Sequence, residues 1–195
     1  MDHERTIDLL SEIQTLKRLP RSGWLMRGVP HVESVADHSL GVGLVALILA
    51  DLLAAHGDLE APLDGEKVLT LALLHDLAEV RLTDLPLRTS QLLSTPAKRQ
   101  AEEQALADLL APLPGAGRLA ALWAEFEDHA TPEGRLVRDA DKLEMMVQCL
   151  RYEEAGSRGL DEFWQAMDHY PWHYTLSAEL YAGLRARRPG RRDDP

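Results

Sequence analysis

Apolar residues at positions 7, 10, 13, 16 and 19 (Ile7, Leu10, Ile13, Leu16, Leu19) recur at helical spacing and predict a first helix over 4–18. The stretch 20–30 is rich in Gly, Pro and Arg, carries Trp24, and reads as a loop. Ser34, with Asp37 three residues on, resembles a capping box and starts a second helix that runs to about residue 55. That helix is apolar almost all round, so it is expected to be buried. After a loop over 58–65, a third strongly apolar helix is predicted from 66 to about 80. Asp84-Leu85-Pro86 ends that region and opens a polar loop to Thr95.

Thr95-Pro96 is a helix start, with Thr as cap and Pro at the first position, and predicts a helix to about 110. A shorter helix covers 116–128. Thr131-Pro132-Glu133 repeats the start signal before a long helix to about 156, and two short helices near 160–168 and 173–187 flank Pro171. No internal repeat is present. The pattern predicts an all-α protein with one domain over 1–187 and a flexible, Arg-rich tail over 188–195.

Composition changes this picture little. A chain of 195 residues has room for one sizeable core, and its scarcity of aromatics beside abundant Leu and Ala favours helix over strand. Charge matters more. A formal net charge of −11 argues against general nucleic-acid binding, which depends on neutralising phosphates. The same charge would repel a free nucleotide, so a phosphate substrate needs a local metal or Arg cluster. Cys149 is the single cysteine and excludes an intrachain disulfide. The N-terminus lacks a basic region followed by an apolar stretch, and the apolar run 42–50 stops at Asp51, shorter than a membrane span. A cytoplasmic protein without membrane attachment is expected.

Candidate chemistry starts with LLHDLAE at 73–79. His75 and Asp76 sit near the end of an apolar helix, where an unpartnered Asp is costly. A metal ion would satisfy both, and Glu79 shares their face. The dipeptide alone means little, since about 0.7 His-Asp pairs are expected by chance in this composition. Its surroundings mean more. SVADHS places His38 one turn into the second helix, and RLVRDADKLEM places Asp141 in a helix that otherwise reads as core. Alone, His38 would read as a satisfied core histidine and Asp141 as an ion-pair partner of Lys142 or Arg138. Together they give two imidazoles and two carboxylates, a ligand set for one divalent ion (Mn, Co, Mg, Fe, Ni or Zn) with positions left open. His169 and His173 are separated by Pro171 and read as structural, as do Trp123, Trp164 and Trp172.

The order His38 … His75-Asp76 … Asp141 resembles the HD-domain superfamily of metal-dependent phosphohydrolases. LKRLPRSGWLMRGVP, ESVADHS, LALLHDLAEV, TDLP and DADKLEM narrow the resemblance to its small 5′-deoxynucleotidase-like branch, over about residues 5–155. The resemblance implies a helical bundle around one metal, a homodimer, and hydrolysis of nucleoside 5′-monophosphates, often the deoxy forms. It implies metal ligation by His38, His75, Asp76 and Asp141. It also implies a water- or proton-handling role for Glu79, an acidic role near phosphate for Asp84, and packing of Trp24 beside sugar or base. Part of the family has Arg directly before that Trp. Gly23 stands there instead, which leaves Arg21, Arg18 or Arg27 to contact phosphate. Lys142 and Glu144 flank a ligand and are candidates for supporting it.

Two other branches fit less well. A guanosine tetraphosphate hydrolase would carry Glu-Asp where Glu79-Val80 stands, and a two-metal phosphodiesterase needs more His than the single His129 between Asp76 and Asp141. Outside catalysis, a metal- or nucleotide-binding sensor is the alternative, as is a hydrolase of another small phosphate ester.

Overall fold

The first predicted helix divides in two: α1 (His3–Glu12) gives way to a tighter 3₁₀ turn over Ile13–Lys17. The computed structural model describes residues 3–190 apart from 58, 60, 87, 88, 90 and 91. The following loop contains a short helix, α2 (Ser22–Leu25). Its base is clasped by backbone hydrogen bonds from Val35 to Leu19 (2.8 Å) and from Arg21 to Glu33 (3.0 Å). This Gly- and Pro-rich segment is therefore a fixed platform for Arg21 and Trp24.

Helix α3 (Val35–His56) starts at the predicted capping box: Ser34 accepts from the Asp37 amide while Asp37 accepts from Ser34. It packs chiefly against α4 (Gly65–Leu74) and the long α8 (Pro132–Glu154). Val42, Ala46, Leu49 and Leu53 of α3 meet Val68 and Leu71 of α4 and Leu136, Val137, Ala140 and Met146 of α8 in one core. Each fully buried aliphatic side chain of this kind contributes about 1.5–3 kcal/mol. Trp123 and Trp164 are buried as expected. Helices α6 (Thr95–Leu110) and α7 (Ala116–Glu127) cover one side, and α9 (Asp161–Asp168) and α10 (Thr175–Ala186) the other. Thr131 caps α8 as predicted, whereas α6 is capped by Ser94, one residue earlier than predicted. No strand occurs among the described residues.

Two expectations need correction. The third helix does not run to residue 80. It ends at Leu74, and α5 (Glu79–Leu82) begins after a break. The cause is local: the His75 Nδ1–H donates to the Ala72 carbonyl at 2.7 Å, the group that the Asp76 amide would otherwise use. The backbone then closes by shorter steps, Leu77 to Leu74 and Glu79 to Asp76, both at 3.0 Å. The Trp123 indole donates to the His75 carbonyl freed by the break, at 3.3 Å.

Nor is α3 buried all round. Leu40, Leu44, Leu47 and Ile48 are exposed because α4 and α8 cover only its other sides. By length and composition α3 could cross a membrane; here it carries His38 into the core and packs as a core helix. At the C-terminal end, Arg188 is tied to Glu153 and Asp161 at 2.7 Å, and residues 191–195 of the predicted tail lie outside the described residues.

Candidate active site

Three helices bring the four predicted ligands together. His38 projects from the first turn of α3, His75 and Asp76 from the break after α4, and Asp141 from the middle of α8. His38 Nε2 lies 3.4 Å from His75 Nε2, 3.6 Å from Asp76 Oδ2 and 3.3 Å from Asp141 Oδ1. His75 Nε2 and Asp76 Oδ2 are 3.2 Å apart. One ligand atom each from His38, His75 and Asp76 fits within 4.8 Å of the others. Asp141 joins through His38, and its second oxygen accepts from Lys142 Nζ at 2.7 Å.

The imidazoles are oriented for ligation. His75 donates through Nδ1, so its Nε2 lone pair faces the cluster. His38 Nδ1 contacts Glu144 Oε2 at 2.5 Å, the carboxylate–histidine pairing that fixes a metal-binding ring. Gly41 makes room for it: a Cβ there would lie 2.6 Å from Glu144 Oε1. Glu144→Ala should therefore weaken metal binding about 10- to 100-fold, read by isothermal titration with Mn²⁺. Unchanged affinity would show that Glu144 does not support His38.

The electrostatics favour positive charge at this point. Burial and Arg21 oppose protonation of His38, yet its hydrogen bonds to Asp141 and Glu144 carry it up to about 9. Burial likewise opposes ionisation of Asp76, but His75, Arg21 and His38 hold its carboxyl well below the usual range. Glu79 goes the other way. Burial first, then the Asp76 and Asp84 carboxylates, push it up to about 10. Its Oε2 is buried without a hydrogen-bond partner. Two inward-facing imidazole nitrogens, two carboxylates and an orphaned buried oxygen fit a divalent cation.

Of the three arginines left open by the sequence, Arg21 reaches the cluster. Its Nη1 is 3.2 Å from Asp76, 3.4 Å from Asp84 and 3.9 Å from Glu79. Arg27 instead pairs with Glu162. Asp84 accepts from the Ser22 amide, and its carbonyl accepts from Ser22 Oγ at 2.7 Å, so it pins the start of α2. Thr83, just before it, is held at φ 62° and ψ 165°, a conformation strained for any residue with a side chain. His129 lies against His173, with ring centroids 5.1 Å apart, rather than in the cluster.

A cavity of about 170 Å³ opens on this cluster, lined by Arg21, His75, Asp76, Glu79, Asp141 and Lys142 among others. Arg21 and Lys142 also border a second cavity of about 490 Å³, whose lining includes Trp24, Met145, Phe163 and Met167. Trp24 is buried: its indole donates to Glu33 at 2.8 Å and its ring packs on Phe163, centroids 4.1 Å apart. Phe163 was missed by the sequence reading, since it lies beyond the motif blocks and shows no periodic signal of its own.

The HD-domain family model matches residues 13–169. The chain belongs to the HD-domain family. A 5′-deoxynucleotidase HDDC2 from Danio rerio is 31% identical over 86% of this HD-domain chain and 82% of its own length. A 5′-deoxynucleotidase hdd1 from Schizosaccharomyces pombe is 30% identical over 80% of this chain and 78% of its own. Among solved structures, a conserved hypothetical protein from Pyrococcus furiosus superposes with a TM-score of 0.77 at 40% identity, covering 93% of this chain and 98% of that one. The HD-domain assignment makes the chain a metal-dependent phosphohydrolase with a helical fold, as the sequence predicted.

Proposed function

We propose that this HD-domain protein hydrolyses nucleoside 5′-monophosphates, preferring the deoxy forms, to nucleoside and phosphate. The observation that carries the reading is a pair of cavities that share Arg21, Leu85 and Lys142 in their walls. A small polar one holds the His/Asp cluster, and a larger apolar one has aromatic and Met walls. The relatives named 5′-deoxynucleotidases support the substrate class.

His38, His75, Asp76 and Asp141 would hold one divalent cation. Bound there, it supplies charge neutralisation for the phosphoryl oxygens and acidifies water. The chain's own residues do the rest. Arg21 and Lys142, shared by the two cavities, bind the phosphate dianion and align it for in-line attack. A cation held by the cluster would offset the Asp76 and Asp84 charges that keep the Glu79 carboxyl protonated, and Glu79, facing the ligands, then takes the proton of the attacking water. Asp84 anchors Arg21 and the Ser22 amide beside the larger cavity, and the proton that Glu79 takes from water ends on the leaving 5′-oxygen. Trp24 backs Phe163 in the apolar wall of the larger cavity.

Phosphate release from paired ribo- and deoxyribonucleoside 5′-monophosphates tests the assignment. The deoxy forms should show the higher kcat/KM. Tight nucleotide binding without turnover would favour a sensor, and turnover of other phosphate esters alone would move the substrate class.

The same reading makes the protein a cytoplasmic homodimer. Leu40, Leu44, Leu47 and Ile48 of α3, with Leu69 and Leu73 of α4, are 36–63% exposed on two helices that pack together. Together they present on the order of 500 Å² of apolar surface, near the upper end for a monomer's largest patch, and a sizeable part of the roughly 800 Å² per partner that a standard interface buries. The acidic net charge speaks against an anionic membrane as the occupant. Ile48→Glu should shift the mass measured by light scattering from dimer to monomer. A wild-type monomer would contradict the assignment.

A further inference from the structure

The larger cavity has an aromatic wall outside the family's motif blocks. Phe163, on α9, lines the cavity beside Trp24, the two ring centroids 4.1 Å apart and the planes tilted 32°. Met145 and Met167 complete an apolar surface around it. The approach depends on Gly23: a Cβ built there would sit 3.3 Å from the Phe163 ring tip, tighter than ordinary contact. A side chain at 23 would require the phenyl ring to yield by a few tenths of an ångström. Trp24 itself is only 2% exposed and hydrogen-bonded to Glu33, so it backs the wall and offers little face of its own.

We infer that Phe163 is the residue against which the nucleobase stacks, and that Gly23 is what allows it to stand there. This rests on the nucleotidase reading and extends it to base recognition. Arg21 and Lys142, which line both cavities, would take the phosphate end, which leaves the apolar residues of the larger cavity to the base. Every base has a π-face, so stacking on Phe163 accepts purines and pyrimidines alike. Arg27 and Glu162, which also line this cavity, hydrogen-bond to one another at 2.7 Å. Recognition by stacking is therefore broad in base and selective for possession of one.

The test compares two substrates that share sugar and phosphate: a deoxynucleoside 5′-monophosphate and deoxyribose 5-phosphate. Phe163→Ala should raise KM for the nucleotide at least tenfold, with kcat nearly unchanged, and should leave kcat/KM for deoxyribose 5-phosphate as in wild type. Gly23→Ala should move the nucleotide KM in the same direction by a smaller factor. Titration calorimetry with free deoxyadenosine, on protein stripped of metal, gives a readout that needs no turnover; Phe163→Ala should weaken that binding by the same factor. Equal losses on both substrates would mean a merely structural role and overturn the inference, as would unchanged nucleotide KM. If wild type turns over no nucleotide yet binds deoxyadenosine in a Phe163-dependent way, the stacking assignment stands and the nucleotidase reading falls. If nucleotide is hydrolysed but deoxyadenosine binding ignores Phe163, the reverse holds.

Discussion

Asp76→Ala will lose bound metal and phosphate release together, with kcat/KM falling at least about a thousandfold. Support groups around a metal ligand are worth 10- to 100-fold, and a direct ligand exceeds them. Asp76 sits at the centre of the cluster, touching His75, His38 and Arg21 within 3.6 Å. Removing its carboxylate leaves two imidazoles and Asp141, and it frees Arg21 from one of three acidic partners. The loss should be visible as metal content by elemental analysis as well as in turnover. Dialysis of wild type against a chelator should reproduce it, and added Mn²⁺ should restore wild type but not the variant. An Asp76→Ala protein that keeps stoichiometric metal and wild-type turnover would remove Asp76 from the ligand set.

Glu79→Gln has the opposite signature: metal retained, chemistry lost. The amide keeps the shape of the side chain but takes up no proton, so kcat should fall about 10²- to 10⁴-fold with little change in KM. Stability should move the other way. Glu79 is buried beside Asp76 and Asp84, and burial and those carboxylates raise it to about 10. A neutral amide needs no proton uptake on folding and opens no new cavity. Without metal, the Glu79→Gln variant should therefore melt no lower than wild type above pH 7. Folded-state elevation means that the Glu79 carboxyl already holds its proton there, while the unfolded chain has released it. The melting advantage of wild type from that proton, present in acid, is absent at the upper end of the range. Measured by thermal melts across pH, a variant that is both inactive and strongly destabilised would reassign Glu79 to the fold.

The sequence made some parts legible and hid others for definite reasons. Ser34 and Asp37 announced α3 because a capping box is local, and the structure closes both of its hydrogen bonds. His38, His75, Asp76 and Asp141 were readable because their spacing matched a known order. The break after Leu74 was not readable: LALLHDLAEV is a continuous apolar helix pattern, and what interrupts it is one side-chain bond from His75 to Ala72. The apolar pattern predicts the exposed leucines of α3 as core, because it reports apolar positions and not how many neighbours a single chain has to cover them. Arg21 separated from Arg18 and Arg27 only when Asp84 was seen to hold the start of α2. Phe163 carries no pattern at all; its place follows from the absence of a side chain at Gly23, 140 positions away in a segment that reads as loop.

One measurement bears most directly on the central claim: phosphate release from deoxynucleoside 5′-monophosphates by metal-stripped protein, with and without Mn²⁺, Co²⁺ or Mg²⁺. The account predicts no turnover without added ion and robust turnover with at least one. Turnover undiminished after complete metal removal, or none with any ion despite metal bound at the cluster, would contradict it.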